Sequence, residues 1–94
     1  MATLIIRHKV EDYAKWKVVY DEVLPFRQTS GIKGARLLRS ADNPNEIVVV
    51  DEFDDMDKAR QFAQSEDLKQ AMQKAGVSDH PDIYFLDEVE STPA

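Results

Sequence analysis

Three unbroken apolar runs, Leu4-Ile5-Ile6, Ile47-Val48-Val49-Val50 and Ile83-Tyr84-Phe85-Leu86, limit what this chain can fold into. Side chains of a strand point alternately to opposite faces, so such runs put hydrophobic groups on both faces of a sheet. The chain has two helical regions, enough to cover one face of a small sheet. The other face needs different cover, and the simplest is a second copy of the chain, packed sheet to sheet as a homodimer. With 94 residues, one domain builds only a modest core, which an interface would supplement.

The remaining pattern places these runs in order. A strand is predicted over 3–10, with Leu4, Ile6, His8 and Val10 on one face and Ile5, Arg7 and Lys9 on the other. Asp12 suits the N-cap of a helix in which Tyr13, Trp16, Tyr20, Val23 and Leu24 recur at helical spacing. Pro25 predicts a kink and a further turn through Phe26 to Thr29, and Gly31 a stop. A second strand at 32–40 turns through Asp42-Asn43-Pro44-Asn45 into a third at 46–53. Asp54-Asp55 then open a helical region whose inner face, Ala59, Phe62 and Ala63, is out of phase with Leu68, Ala71, Met72 and Ala75. Ser65-Glu66-Asp67 between them reads as a break and a fresh N-cap. Gly76 ends that helix, Ser78 to Pro81 form a loop, and a fourth strand runs over 82–89. Strand-helix-strand thus occurs twice, which predicts an α+β ferredoxin-like βαββαβ domain over 3–90. It would be a four-stranded antiparallel sheet with both helices on one face, followed by a frayed tail at 91–94.

Charge and composition exclude several functions. A net charge of -6 argues against nucleic acid or an anionic membrane as partner. The chain has no cysteine, which rules out disulfides and thiolate chemistry. No apolar stretch reaches the length of a membrane span, and Met1-Ala2-Thr3 leads straight into a strand, so a cytoplasmic protein is expected. The acid-rich segments Asp54-Asp55-Met56-Asp57 and Glu66-Asp67 read as helix caps, since nothing nearby in sequence supplies a converging third metal ligand.

The stretch from His8 to Lys17 at the first strand-to-helix junction resembles the opening of the dimeric α/β-barrel proteins, above all the antibiotic-biosynthesis-monooxygenase-like (ABM) domains. Asp51-Glu52-Phe53, the capped helix after it, the Ser65 break and the closing Tyr84-Phe85-Leu86 strand fit the same plan. The resemblance implies a pocket in each subunit between sheet and helices. The superfamily includes cofactor-free oxygenases, haem-degrading enzymes, polyketide cyclases, aldoxime dehydratases and decarboxylases, so fold does not settle activity. Haem-degrading relatives carry a ligating histidine on the last helix. Here that region reads Leu68-Lys69-Gln70-Ala71-Met72-Gln73 and His80 falls in the next loop, so haem is not expected.

Within such a pocket His8 is the candidate general base, because a neutral imidazole titrates where a base must work. Arg36, beside Gly34, is the candidate to stabilise an enolate or phenolate; its structural alternative is an ion pair with Glu46 or Asp51. Tyr13, Trp16 and Tyr20 form an aromatic stripe that either packs the core or walls a flat ligand. Phe62, Met72 and Tyr84 complete the expected substrate-binding set. Asp51 interrupts the apolar run of the third strand, and a salt bridge is expected for it. Two functions remain open at this stage: a cofactor-independent monooxygenase or cyclase acting on a small aromatic or polyketide-like substrate, and a non-catalytic or stress-related module holding an apolar metabolite.

Overall fold

A computed structural model describes residues 2–93. The elements, in chain order, are β1 (Ala2–Lys9), α1 (Tyr13–Glu22), α2 (Leu24–Thr29), β2 (Ile32–Arg39), β3 (Glu46–Phe53), α3 (Met56–Gln64), α4 (Glu66–Lys74) and β4 (Asp82–Asp87). The strands form one antiparallel sheet in the order β2-β3-β1-β4, the ferredoxin-like arrangement. Among the described residues, no helix is long and apolar enough to cross a membrane. Met1 and, in the predicted tail, Ala94 lie outside the described residues; 91–93 carry no regular structure.

β1 lies between β3 and β4, so its alternation sets the two faces. Leu4 pairs with Asp51 and Phe85, and Ile6 with Val49 and Ile83, on the helix-covered side. His8 pairs with Ile47 on that same side. Ala2, Leu4, Ile6, His8 and Val10 are all buried, as are Ile47, Val49, Asp51 and Phe53. The other parity, Thr3, Ile5 and Arg7 on β1 with Val48, Val50 and Glu52 on β3, forms the opposite, open face. There Leu38, Tyr84 and Leu86 are exposed large hydrophobics.

Element ends follow local chemistry. β4 ends at Asp87 rather than 89, with Asp87 paired to Ala2. The first helix breaks at Val23, two residues ahead of the expected kink. Pro25 has no N–H to donate back along the helix, but it fits the first turn of α2. Gly76 closes α4 at φ +77, a left-handed conformation that glycine adopts without strain. The Ser65 break is as expected, its Oγ accepting from Leu68 N at 3.2 Å and donating to Phe62 O at 2.8 Å.

The core divides into two clusters. One gathers Leu4, Ile6, Phe53 and Phe62 under α3; the other gathers Val10, Trp16, Ile47 and Val49 under α1. Because α4 has no fully buried residue, its position depends strongly on its cap. Ser65→Ala is expected to lower stability by about 1 kcal/mol, read as a drop in the urea midpoint with an unchanged slope.

Candidate functional site

At the seam between the two clusters lies a cavity of about 60 Å³, walled by the sheet, α1, α2, α3 and α4. Ile6 and Phe62 reach it from one cluster, Trp16 and Val49 from the other. A more open cleft of about 280 Å³ shares Val19, Val23, Phe26 and Ala71 with it and runs out between the first helical arm and α4. Lys74 and Glu22 bridge α4 to α1 at 3.0 Å on the exposed surface.

The inner cavity is apolar except at two places. The first is His8, next to last on β1, its ring tilted against Trp16 at 5.7 Å between centroids. It is 3% exposed, and neither Nδ1 nor Nε2 has a hydrogen-bond partner among the described residues. A buried polar group left unpaired costs about 1–3 kcal/mol, so an unpartnered imidazole at a cavity wall needs a reason to be there. Burial holds it below its ordinary value of 6.5; nearby Asp79 opposes that shift and Arg7 adds to it. The ring is therefore neutral at neutral pH, a buried base without a partner in the wall of an apolar cavity.

The second polar place is an ion pair. Arg27 of α2 donates from Nη2 to Asp51 Oδ1 of β3 at 2.9 Å, the side chains only 8% and 2% exposed. The Arg27 guanidinium also lies over the Tyr20 ring, 4.3 Å from its centroid. Burial pushes the Asp51 carboxyl above its ordinary 3.8 despite the pull of Arg27. In terms of folding, such a pair contributes little net stability, because desolvation offsets its attraction.

Register decides which of the expected residues reach this space. His8, Trp16, Tyr20, Phe62 and Met72 line the cavity. Arg36 and Tyr84 do not. They pair with Val50 and Ile5, on the open face of the sheet. The room beside Gly34 is on that face too, where an added Cβ would meet nothing within 4 Å. Both acids considered as partners for Arg36 are taken by other arginines, Glu46 by Arg7 at 2.8 Å and Asp51 by Arg27. Tyr13 stacks on Trp16 at 6.0 Å but sits at the end of the stripe beneath Arg39, outside the cavity wall. Arg27 itself was not among the expected residues. The signal for it was Asp51, a carboxylate in an inward strand position, which requires a cation from some element packed against the sheet.

A family model described as antibiotic biosynthesis monooxygenase matches residues 5–74. Among solved structures, the fold is similar to that of SnoaB, a cofactor-independent oxygenase from Streptomyces nogalater. That match has 18% identity and a TM-score of 0.81, covering 99% of this chain and 97% of the other. A protein of antibiotic biosynthesis monooxygenase type from Bordetella bronchiseptica matches at 19% identity and TM-score 0.80, with 95% and 97% covered. Rv0793 from Mycobacterium tuberculosis matches at 13% identity and TM-score 0.74, with 98% of each chain covered. At these identities the likeness concerns the fold. No curated protein matches the sequence.

The burial of His8 has a consequence for folding. As pH falls below 6.5, the unfolded chain takes up a proton that the buried ring resists. The folded state thus has its full stability above 6.5 and loses it as pH falls toward the depressed value. Asp51 has the opposite sign and acts in the carboxylate range, where its raised value favours the folded state only at low pH. The wild-type urea midpoint is expected to fall between about pH 7.5 and pH 5.5, and that of His8→Leu to fall less.

Proposed function

The chain belongs to the antibiotic biosynthesis monooxygenase family, and from that premise we propose that it is a cofactor-independent monooxygenase for a small aromatic or polyketide-like substrate. The observation that carries the reading is His8, buried, neutral and unpartnered at the wall of an apolar cavity. A phenol or 1,3-dicarbonyl compound with an acidic methylene can give its proton to an imidazole placed this way. Excluding water raises the energy of the anion and makes it a better reductant. Trp16 and Tyr20, stacked at 4.9 Å, offer a flat wall for the ring.

The chemistry balances with dioxygen as the only oxidant. His8 removes one proton from the methylene carbon; the anion passes an electron to O2, and the two radicals combine to form a C–O bond. The peroxide takes the proton back. Removal of the second proton from the same carbon breaks the O–O bond, leaving a carbonyl and a hydroxide that departs as water. One methylene and one O2 give one carbonyl and one water, with His8 carrying protons at each step.

Inside the cavity the substrate is proposed to extend from His8 toward the mouth. The inner volume of about 60 Å³ is smaller than the ~150 Å³ that encloses a benzene ring, so part of the substrate occupies the outer cleft. The open face, with Leu38, Tyr84 and Leu86 exposed, is proposed to pack on a second copy of the chain as a homodimer.

The largely apolar lining of the cavity favours one alternative, a non-catalytic module that holds an apolar metabolite; it predicts ligand binding with no oxygen uptake. An oxygen electrode with a hydroxylated anthrone as substrate separates the two. Wild type is expected to consume one O2 per substrate, with kcat/KM held at pH 6.5 and falling only as pH drops through the depressed value of His8 below it. His8→Gln should lower the rate by about 10²- to 10⁴-fold; an unchanged rate removes His8 as the base. Light scattering behind size-exclusion chromatography should give twice the 10.7 kDa chain mass, and Tyr84→Glu with Leu86→Glu should give the monomer.

A further inference from the structure

We propose that Arg27 is the anion anchor of the cavity, and that the substrate is an aromatic compound with an oxyanion, a carboxylate or an ionised phenol, at the end remote from His8. This rests on the reading of the cavity as a substrate site. The argument begins with the two polar places in the wall. His8 and Asp51 are on paired strands, and Asp51 pairs with Leu4, four residues from His8. Their backbones are therefore separated by about 13 Å along the sheet, with the apolar Ile6–Val49 pair between them. A ligand that enters over that pair from the outer cleft would have a base on one side and a guanidinium on the other.

The Arg27 group is held in place for such a role. α2 carries it inward, Asp51 holds Nη2, and the guanidinium carbon rests over the Tyr20 ring. A guanidinium has five N–H donors in a rigid plane, matched to two oxygens at once. Its bond to Asp51 runs from one nitrogen to one oxygen at 2.9 Å, not as a two-point fork, so N–H groups remain for a second anion. Arg27 and Asp51 both line the cavity. As a folding device the pair has little to recommend it, since apolar residues of like volume often serve a core as well or better. As a binding device, a partly neutralised, immobile arginine attracts an oxyanion without the entropy cost of ordering a long side chain.

Trp16 is the chain's one tryptophan and lines the cavity, so its indole N–H resonance reports binding directly. Benzoate is expected to shift that resonance saturably, and uncharged benzamide to bind more weakly. Arg27→Met alone leaves Asp51 buried without its partner and risks unfolding, so the decisive variant is Arg27→Met with Asp51→Leu, checked by thermal melting. That variant should raise the Kd for benzoate by at least about tenfold while leaving that for benzamide within about twofold, as loss of a charged hydrogen bond requires. Arg27→Lys, which keeps the charge but loses the fork, should fall between. Equal benzoate affinity in wild type and the double variant overturns the proposal, as does a wild type that prefers benzamide or binds neither. The benzoate titration needs neither oxygen nor turnover. An oxygen assay that fails therefore rejects the monooxygenase reading and leaves the binding result to stand or fall separately.

Discussion

Everything in this molecule depends on the parity of one strand. β1 is bonded on both edges, to β3 and β4, and because side chains alternate, even-numbered residues face the helices and odd-numbered residues face away. A slip of one residue would put Ile5 and Arg7 into the core and His8 outside. The pairing prevents this through the inward set it brings together, Leu4, Ile6, Ile47, Val49 and Phe53, whose burial would be lost in any shifted register. The same hydrophobic constraint that makes the sheet also aims the histidine. His8 is carried inward by a pattern whose other members are there for burial alone.

That pattern has two exceptions, and they make the cavity chemically distinct. His8 and Asp51 occupy positions where an aliphatic residue would be more stabilising, and burial moves each toward its neutral form, the imidazole down and the carboxyl up. Their solutions differ. Asp51 has Arg27 and remains part of a charged pair, while His8 has no partner among the described residues. One polar element is thus satisfied within the protein and the other is free to act on something else. Such local conflicts between residue type and environment cluster at functional sites, because stability alone would remove them.

The fold was largely legible because it rests on local signals. The strand runs, the Ser65 cap between two out-of-phase helical faces and the Asn-Pro turn each lie within a few residues of sequence, and each appears in the structure. Boundaries moved by a residue or two, as at the helix break at Val23 and the end of β4 at Asp87. The aromatic stripe was legible as a stripe. Only the orientation of the helix separates Trp16 and Tyr20 at the cavity from Tyr13 beneath Arg39. Arg36 and Tyr84 were misplaced for a simpler reason. β4 is apolar on both faces and β2 carries a cation on each, so hydropathy cannot tell their faces apart and parity had to come from pairing with β1 and β3.

Arg27 shows how such a residue could be found without coordinates. A search that moves along the chain looks for active groups on each element and passes over an arginine in a six-residue helix after a proline. A search that starts from need begins with Asp51, which sits at an inward position between Val49 and Phe53 and so cannot be left unpaired. Its cation must come from an element laid over that part of the sheet. α3 and α4 begin after β3 and turn their Ala59, Phe62 and Leu68 faces inward, and α1 presents its aromatic stripe. The segment after the kink remains, and within it Arg27 is the only cation. The buried charge thus identifies its partner by elimination, and the partner defines the far end of the cavity.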